Sequence, residues 1–336
     1  MALITGTSDV AVNLQGYYDR NLLERAVPAL IHSRFAQVRP LPKNAGTRIN
    51  FRRYGSLAVN TTPLTEGSTP TGKKLTTTDI YALCKQYGDF ITISDWISMT
   101  GLDSILVEGG EVLAEQMGLS VDTLDRDVYI AGTNVRYAAG VAGRTSVATA
   151  VAVSDVKSAV RTLEGGNAKK VRSMVMAGAK IATRPIAPAF YGITHTSCRQ
   201  DYEALSGFTK VEEYASQKDV MEEEIGAWGN LRVLVTTNSK IYLGSDVVGT
   251  AVGVTGLVSA DSTYVDIYTT LVFAANAVGS VPLQKGSVKN IIKKMGSAGT
   301  EDPLDQRATS GWKVAQTAKI LNDDFLVRIE HGCSDL

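Results

Sequence analysis

The chain has 336 residues, 44% of them hydrophobic and 20% charged, a mixture that buries a core and excludes disorder throughout. Its 34 basic residues balance 34 acidic ones, so no global field draws it to nucleic acid or to an anionic membrane, and any such attraction must be local. No run of about 18 apolar residues is present to span a bilayer, and Cys84, Cys198 and Cys333 are too few and too scattered for a disulfide framework or paired zinc ligands.

The opening stretch, MALITGTSDVAVNLQGYYDR, has no basic start followed by an apolar core, so the expectation is a protein made and folded in a cytoplasm. The segment YYDRNLLERAVPALI predicts a helix over Tyr17–Ile31 that Pro28 kinks or ends. This beginning reads as an arm, and a basic one. Arg20, Arg25, Arg34, Arg39, Lys43, Arg48, Arg52 and Arg53 outnumber Asp9, Asp19 and Glu24. A solvated surface is the simpler reading of that excess, and an acidic partner is the other.

Two alternating runs follow, Thr47–Tyr54 (TRINFRRY) and Leu75–Ile93, separated by a tip rich in Asn, Thr, Pro, Gly and Ser. They predict a long β-hairpin. A two-stranded ribbon is not stable alone in water, and its free edges invite pairing, so the hairpin is expected to lie on a neighbouring surface. Strand alternation puts Arg48 and Arg52 on one side with Asn50, and Ile49, Phe51 and Arg53 on the other. The tip sequence from Gly67 to Lys74, GSTPTGKK, comes within one residue of a phosphate-cradling loop. It has Lys74 where the magnesium-binding hydroxyl belongs, and a β-like run where the helix belongs.

From Asp103 to Ala131 the apolar residues Leu102, Leu106, Leu113, Met117, Val121, Leu124, Val128 and Ala131 recur at helical spacing. A helix of about 40 Å is predicted, a spine longer than a compact domain needs. Asp103 or Ser104 is the expected cap and Gly132 the expected left-handed stop. Glu111, Glu115, Asp122 and Asp125 are expected to keep its far face wet. Gly109-Gly110 is the weak point, costing about 1 kcal/mol per glycine relative to alanine.

Further on, a helix over Val156–Leu163 with Ser154 as cap, a strand over Ala189–Thr194, a buried strand at Leu231–Thr236 and two strand-like runs around Asn322-Asp323-Asp324 within Trp312–Ile329 are predicted. The tract around Glu222, Glu223 and Glu224 is strongly acidic and reads as a solvated or interface face, not a catalytic carboxylate pair. Gly249, Gly253 and Gly256 read as turns or bulges. Together the elements make an α+β protein.

Catalytic chemistry does not assemble. His32, His195 and His331 are far apart, and His195-Thr-Ser-Cys198 has neither a companion base nor an oxyanion trap in view. No cofactor, metal site or enzymatic activity is expected.

The order of elements, together with LTEGSTP (64–70), KQYGDFITIS (85–94), AGTNVRYAAG (131–140), EIGAWGNLRVL (224–234) and DPLDQRATSGWKVA (302–315), resembles tailed-bacteriophage major capsid proteins of the Hong Kong 97 fold. The similarity is to the group around the podovirus N-four major coat protein and runs from about Tyr17 to Glu330. It implies an N-terminal arm (1–45), an extended hairpin loop (46–95), a peripheral domain with the spine helix (96–150), an axial domain (151–275) and peripheral return strands (276–336). It also implies a shell of pentamers and hexamers in the virion, assembled in a bacterial host. Packaged double-stranded DNA would lie inside, scaffold, portal and decoration proteins would be further partners, and a membrane would not. Some relatives join a hairpin lysine to a neighbour's asparagine. Lys73 and Lys74 sit where such a lysine would be, but no partner is identifiable and no cross-link is expected. Arg48, Arg52, Arg53, Lys73, Lys74, Glu111 and Glu115 are the inter-subunit contact candidates. The arginines are expected to meet a neighbour's spine at Glu111 and Glu115 in preference to its acidic tract or DNA. The competing readings are an encapsulin-like compartment shell, a soluble nucleotide-binding enzyme using Gly67 to Lys74, and a fibre or adhesin, which would need repeats that are absent.

Overall fold

The computed structural model describes residues 31–42, 44–100, 105–171, 188–214, 220–244, 256–260, 264–283, 288–297 and 302–335, without the side chains of 98–100 and 105–108. The helix expected before Ile31, the caps Asp103 and Ser104, and Gly249 and Gly253 lie outside them.

In chain order the elements are β1 (Gln37–Val38), β2 (Arg48–Tyr54), β3 (Thr77–Leu83), β4 (Lys85–Ser94), α1 (Asp95–Thr100), α2 (Ile105–Ile130), β5 (Val135–Tyr137), α3 (Val153–Gly165) and β6 (Phe190–His195). Then come α4 (Arg199–Glu203), β7 (Phe208–Lys210), β8 (Glu224–Trp228), β9 (Leu231–Thr236), β10 (Ile241–Tyr242), β11 (Ile267–Phe273), β12 (Val278–Pro282), β13 (Lys289–Lys293), β14 (Arg307–Ile320) and β15 (Leu326–His331).

An eight-stranded sheet runs β5-β15-β11-β6-β9-β8-β7, with β10 also on β11. Every residue of β11 is buried, because the sheet is covered on both faces and alternation serves two cores. Phe190, Val272, Val327 and Ile329 pack with Val156, Ala159 and Leu163 of α3. Tyr191, Ile193, Leu271 and Phe273 pack with Ile31, Phe35 and Tyr129. The helix α3 begins at Val153, so Ser154 lies inside it. The residue that secures its start is Asp155, whose carboxylate accepts the Ala152 N–H at 3.0 Å.

A five-stranded sheet is built around β14. One edge of β14 pairs β13 and then β12, while the other pairs β4 along ten register positions. The predicted second hairpin strand is therefore divided. Cys84 donates its N–H to Thr47 at 2.8 Å, closing the β2–β3 ribbon, and from Lys85 the chain leaves that ribbon for β14. The two runs predicted within Trp312–Ile329 likewise do not pair. The turn at Asn322–Phe325 carries the chain from the five-stranded sheet to the eight-stranded one.

The spine is continuous through Gly109-Gly110. A Cβ at Gly109 would lie 2.4 Å from Cδ1 of Ile91, so the glycine lets β4 approach the helix where bending was expected. Leu113, Ala114, Met117 and Val121 pack on Trp312 and Val314. Asp122 and Asp125 depart from expectation. Each is 1% exposed, because the helix passes from the small sheet under the segment Ile31–Phe35, which covers that side. Gly132 is also not left-handed. The helix ends with tighter bonds, Ala131 to Val128 and Gly132 to Tyr129 at 3.2 Å, and the Arg328 guanidinium donates to the Ile130 carbonyl.

Candidate assembly surface

Strands β2 and β3 pair from Arg48 opposite Leu83 to Tyr54 opposite Thr77. Ile49 and Phe51 pack with Leu41, Ala82 and Val281, so the apolar side of the hairpin base is anchored to its own body. The opposite side carries the arginines outward, as alternation requires. Arg48 donates Nε–H to Oδ1 of Asn50 at 2.9 Å, and its guanidinium stands 4.4 Å from the Tyr81 ring centre.

Arg52 is opposite Asp79 in the ladder and grips it with two bonds, at 2.8 and 3.1 Å. Those bonds raise the Arg52 pKa and hold the Asp79 carboxyl below its ordinary range. Both groups are half-exposed, so the pair orients the guanidinium more than it stabilises the fold. Arg53, on the other side, donates to Oδ1 of Asn322 at 2.5 Å and ties the hairpin to the turn after β14. A cleft beside these groups is lined by Gln37, Arg39, Arg52, Arg53, Asn276 and Asn322.

The tip from Gly55 to Thr76 forms no ladder. It is closed at its base by Gly55 N–H to Thr76 at 2.8 Å and bends at Ser68 N–H to Thr65 at 3.2 Å, with Gly67 in the left-handed region. Lys73 donates to the Ala58 carbonyl at 2.7 Å, and Lys74 is exposed. Residues 67–74 are exposed and lead to a strand at Thr77, so the helix N-terminus that a phosphate-cradling loop requires is not there.

On α2, Glu115 is exposed and Glu111 half-buried, while Gln116 bridges Asp89 at 2.7 Å and the Trp312 indole at 3.1 Å. Within the chain the arginines, the lysines and these glutamates thus occupy three separate places: hairpin base, tip and spine.

The acidic tract is divided too. Glu223 accepts two bonds from Arg34, at 2.7 and 3.3 Å, so one basic residue of the arm has an acidic partner in its own chain. Glu224 starts β8 and is buried beside Tyr214, whose hydroxyl donates to it at 2.8 Å, and beside Arg232. The expectation of a solvated or interface face fails for Glu224, which is buried within its own chain because the tract ends in a strand of the large sheet.

Charge patterning did not reveal the apolar part of the surface. Leu57, Val59, Leu64 and Leu75 of the tip are exposed, as are Val112 and Leu119 on the spine. Phe90 and Ile291 flank Gly311 on the small sheet and are exposed as well. The seven-residue spacing of Val112 and Leu119 was the available signal, a second helical stripe beside the buried one.

Elsewhere, His195 Nδ1 accepts the Ser197 N–H at 3.1 Å in a local cap, while Cys198 faces the core. Cys198 and Cys333 are free thiols in one apolar cluster although far apart in sequence. Their mutual contact and burial push the Cys198 thiol well up, the opposite of nucleophile activation. Among the described residues no group of His, Cys, Asp and Glu could hold a metal ion, and no helix is long and apolar enough to cross a membrane.

No family model matches the sequence and no curated protein matches it. Solved structures do. The chain is similar to the capsid of Ralstonia phage GP4, with a TM-score of 0.62 and 12% identity over 91% of this chain and 89% of that one. It is similar to a chain of the head of Helicobacter pylori bacteriophage KHP40, with a TM-score of 0.60 and 12% identity over 88% and 87%. The capsid of cyanophage P-SCSP1u gives a TM-score of 0.53 and 14% identity over 91% and 89%. At such identities the shared property is the fold, and it extends over nearly the whole of each chain.

Proposed function

We propose that this chain is the major capsid protein of a tailed bacteriophage, a Hong Kong 97-type subunit of the group resembling the N-four coat protein. It self-assembles as pentamers and hexamers into the icosahedral shell of the virion around double-stranded DNA. Likeness of fold to phage capsid and head chains, over 88–91% of this chain, is the observation that carries the reading. The projecting hairpin supports it. Its base is anchored, its tip lacks a core of its own, and its outer side presents oriented arginines. Such a subunit acts by geometry and number, since weak contacts made to several neighbours at once hold collectively. In this reading residues 96–150, with the spine, and the return strands 276–336 form the peripheral domain, and residues 151–275 form the axial domain. Scaffold, portal and decoration proteins are further partners, and assembly takes place in the host cytoplasm.

The test is removal of Asn60–Lys74. The truncated chain should melt like the full chain yet sediment without shells, in conditions or with a scaffold that let the full chain form particles visible by negative stain. A full chain that stays monomeric in every assembly condition, or a truncated one that still closes shells, overturns the reading.

A further inference from the structure

The junction between the arm and the spine contains titratable groups that shell geometry does not use. The carboxylate of Asp122 is saturated. Its Oδ1 accepts the N–H groups of Ile31 at 3.0 Å and His32 at 2.9 Å, and its Oδ2 bonds His32 Nδ1 and Asn238 Nδ2, each at 2.8 Å. Asp125 follows one turn later on the same buried side. Its Oδ2, the Tyr129 hydroxyl and His32 Nε2 have no hydrogen-bond partner among the described residues. Phe35 then seals the site, stacked on Tyr191 at 4.7 Å.

Among the described residues the nearby cations are committed elsewhere. Arg126 turns to Asn238 and Asp127, Arg34 to Glu223, and Arg328 to the Ile130 carbonyl and Glu330. Two carboxylates one turn apart, with donors among the described residues enough for one, cannot both be charged in a buried site at low cost.

We propose that Asp122 and Asp125 form a proton-operated latch: with one proton on the pair, Ile31–Phe35 is locked to the spine, and loss of that proton releases the segment. Burial raises the Asp122 carboxyl, but the bonds from His32 and Asn238 outweigh it and hold it below its ordinary range. Burial, and then the charge of Asp122, push Asp125 up to about 7.

The sign follows. An unfolded aspartic acid loses its proton near about pH 4, so from there to about pH 7 the folded chain holds one more proton than the unfolded chain. Stability therefore falls as pH rises through that window and levels off above it. Asp122 has the opposite sign and matters only in more acidic solution. Strain from a second charge is relieved most cheaply by local opening. Ile31–Phe35 is one turn of helix followed by a two-residue strand, whereas the spine is held by its own core on the small sheet.

Hydrogen exchange of the full chain, read by mass spectrometry at about pH 6 and about pH 8.5 and corrected for intrinsic rates, tests the latch. Amides of residues 31–38 should lose roughly tenfold or more in protection at the higher pH, while those of Ile267–Phe273 stay unchanged. In Asp125→Asn, whose side chain cannot ionise, protection of residues 31–38 should be the same at both values. Asp125→Ala serves if the amide variant does not fold. Wild-type protection that does not depend on pH, or a variant that loses protection as the wild type does, overturns the proposal. The outcome does not depend on whether the chain builds shells.

Discussion

The proposed shell function predicts that serine replacement of Leu57, Val59, Leu64 and Leu75 together spares the chain's own fold and weakens its contact with a neighbour. These residues are 52%, 86%, 76% and 59% exposed and belong to none of the core clusters. Fully burying such a side chain contributes about 1.5–3 kcal/mol, so covering the part still open contributes about 1–2 kcal/mol each and roughly 4–8 kcal/mol per hairpin. Ordering the tip on its neighbour offsets some of this. A remaining loss of about 4 kcal/mol weakens each subunit contact about a thousandfold. The variant's own fold should change by no more than about 0.5 kcal/mol, the usual range for exposed sites. A thermal melt of the monomer and sedimentation velocity across a concentration series give both quantities. The expected result is an unchanged melt with no shells at concentrations where the wild type assembles. A variant that assembles at the wild-type threshold would show that the tip's apolar residues are not the contact. A melt lowered by more than about 5 °C would place them in the subunit's own core.

Two further perturbations probe the scaffold and the charges. Gly311→Ala should destabilise the fold by about 1–3 kcal/mol in a denaturant titration, since a Cβ there would lie 2.6 Å from Cβ of Phe90 and 2.9 Å from the Asp89 carbonyl, both on the paired strand; an unchanged midpoint would disprove that packing. Reversing Arg48 and Arg52 to glutamate should weaken assembly most at low salt, and Glu111→Lys with Glu115→Lys in the same chain should restore part of it. Recovery with Glu222→Lys instead would place the neighbour's acidic tract opposite the arginines.

Local pattern made much of this molecule legible. The alternation in TRINFRRY gives β2 and the sides of its arginines, and the buried run Leu231–Thr236 is β9 residue for residue. The spine was readable from its period, and it ends at Ile130, one residue before the predicted Ala131. What escaped depends on long-range partners. Nothing in Leu75–Ile93 says that pairing passes from β2 to β14 at Cys84. Asp122 and Asp125 look like solvated helix residues until the arm is laid over them. Arg52 is visible as an exposed cation, but its partner Asp79 becomes evident only once the register is fixed. Cys198 and Cys333 meet only because β15 returns to the large sheet.

That return also sets a timetable. β14 is the strand to which β4, β12 and β13 all attach, and β15 lies between β5 and β11. The small sheet lacks every pairing to β14, and the large sheet cannot join β5 to β11, until residues 307–331 have left the ribosome, so a nascent chain can present its hairpin before the small sheet beside it is complete. Long-range pairings of this kind form late and slowly. A mutation or stall that delays those residues would leave unfinished sheet edges exposed among many identical nascent chains, where mispairing competes with correct completion.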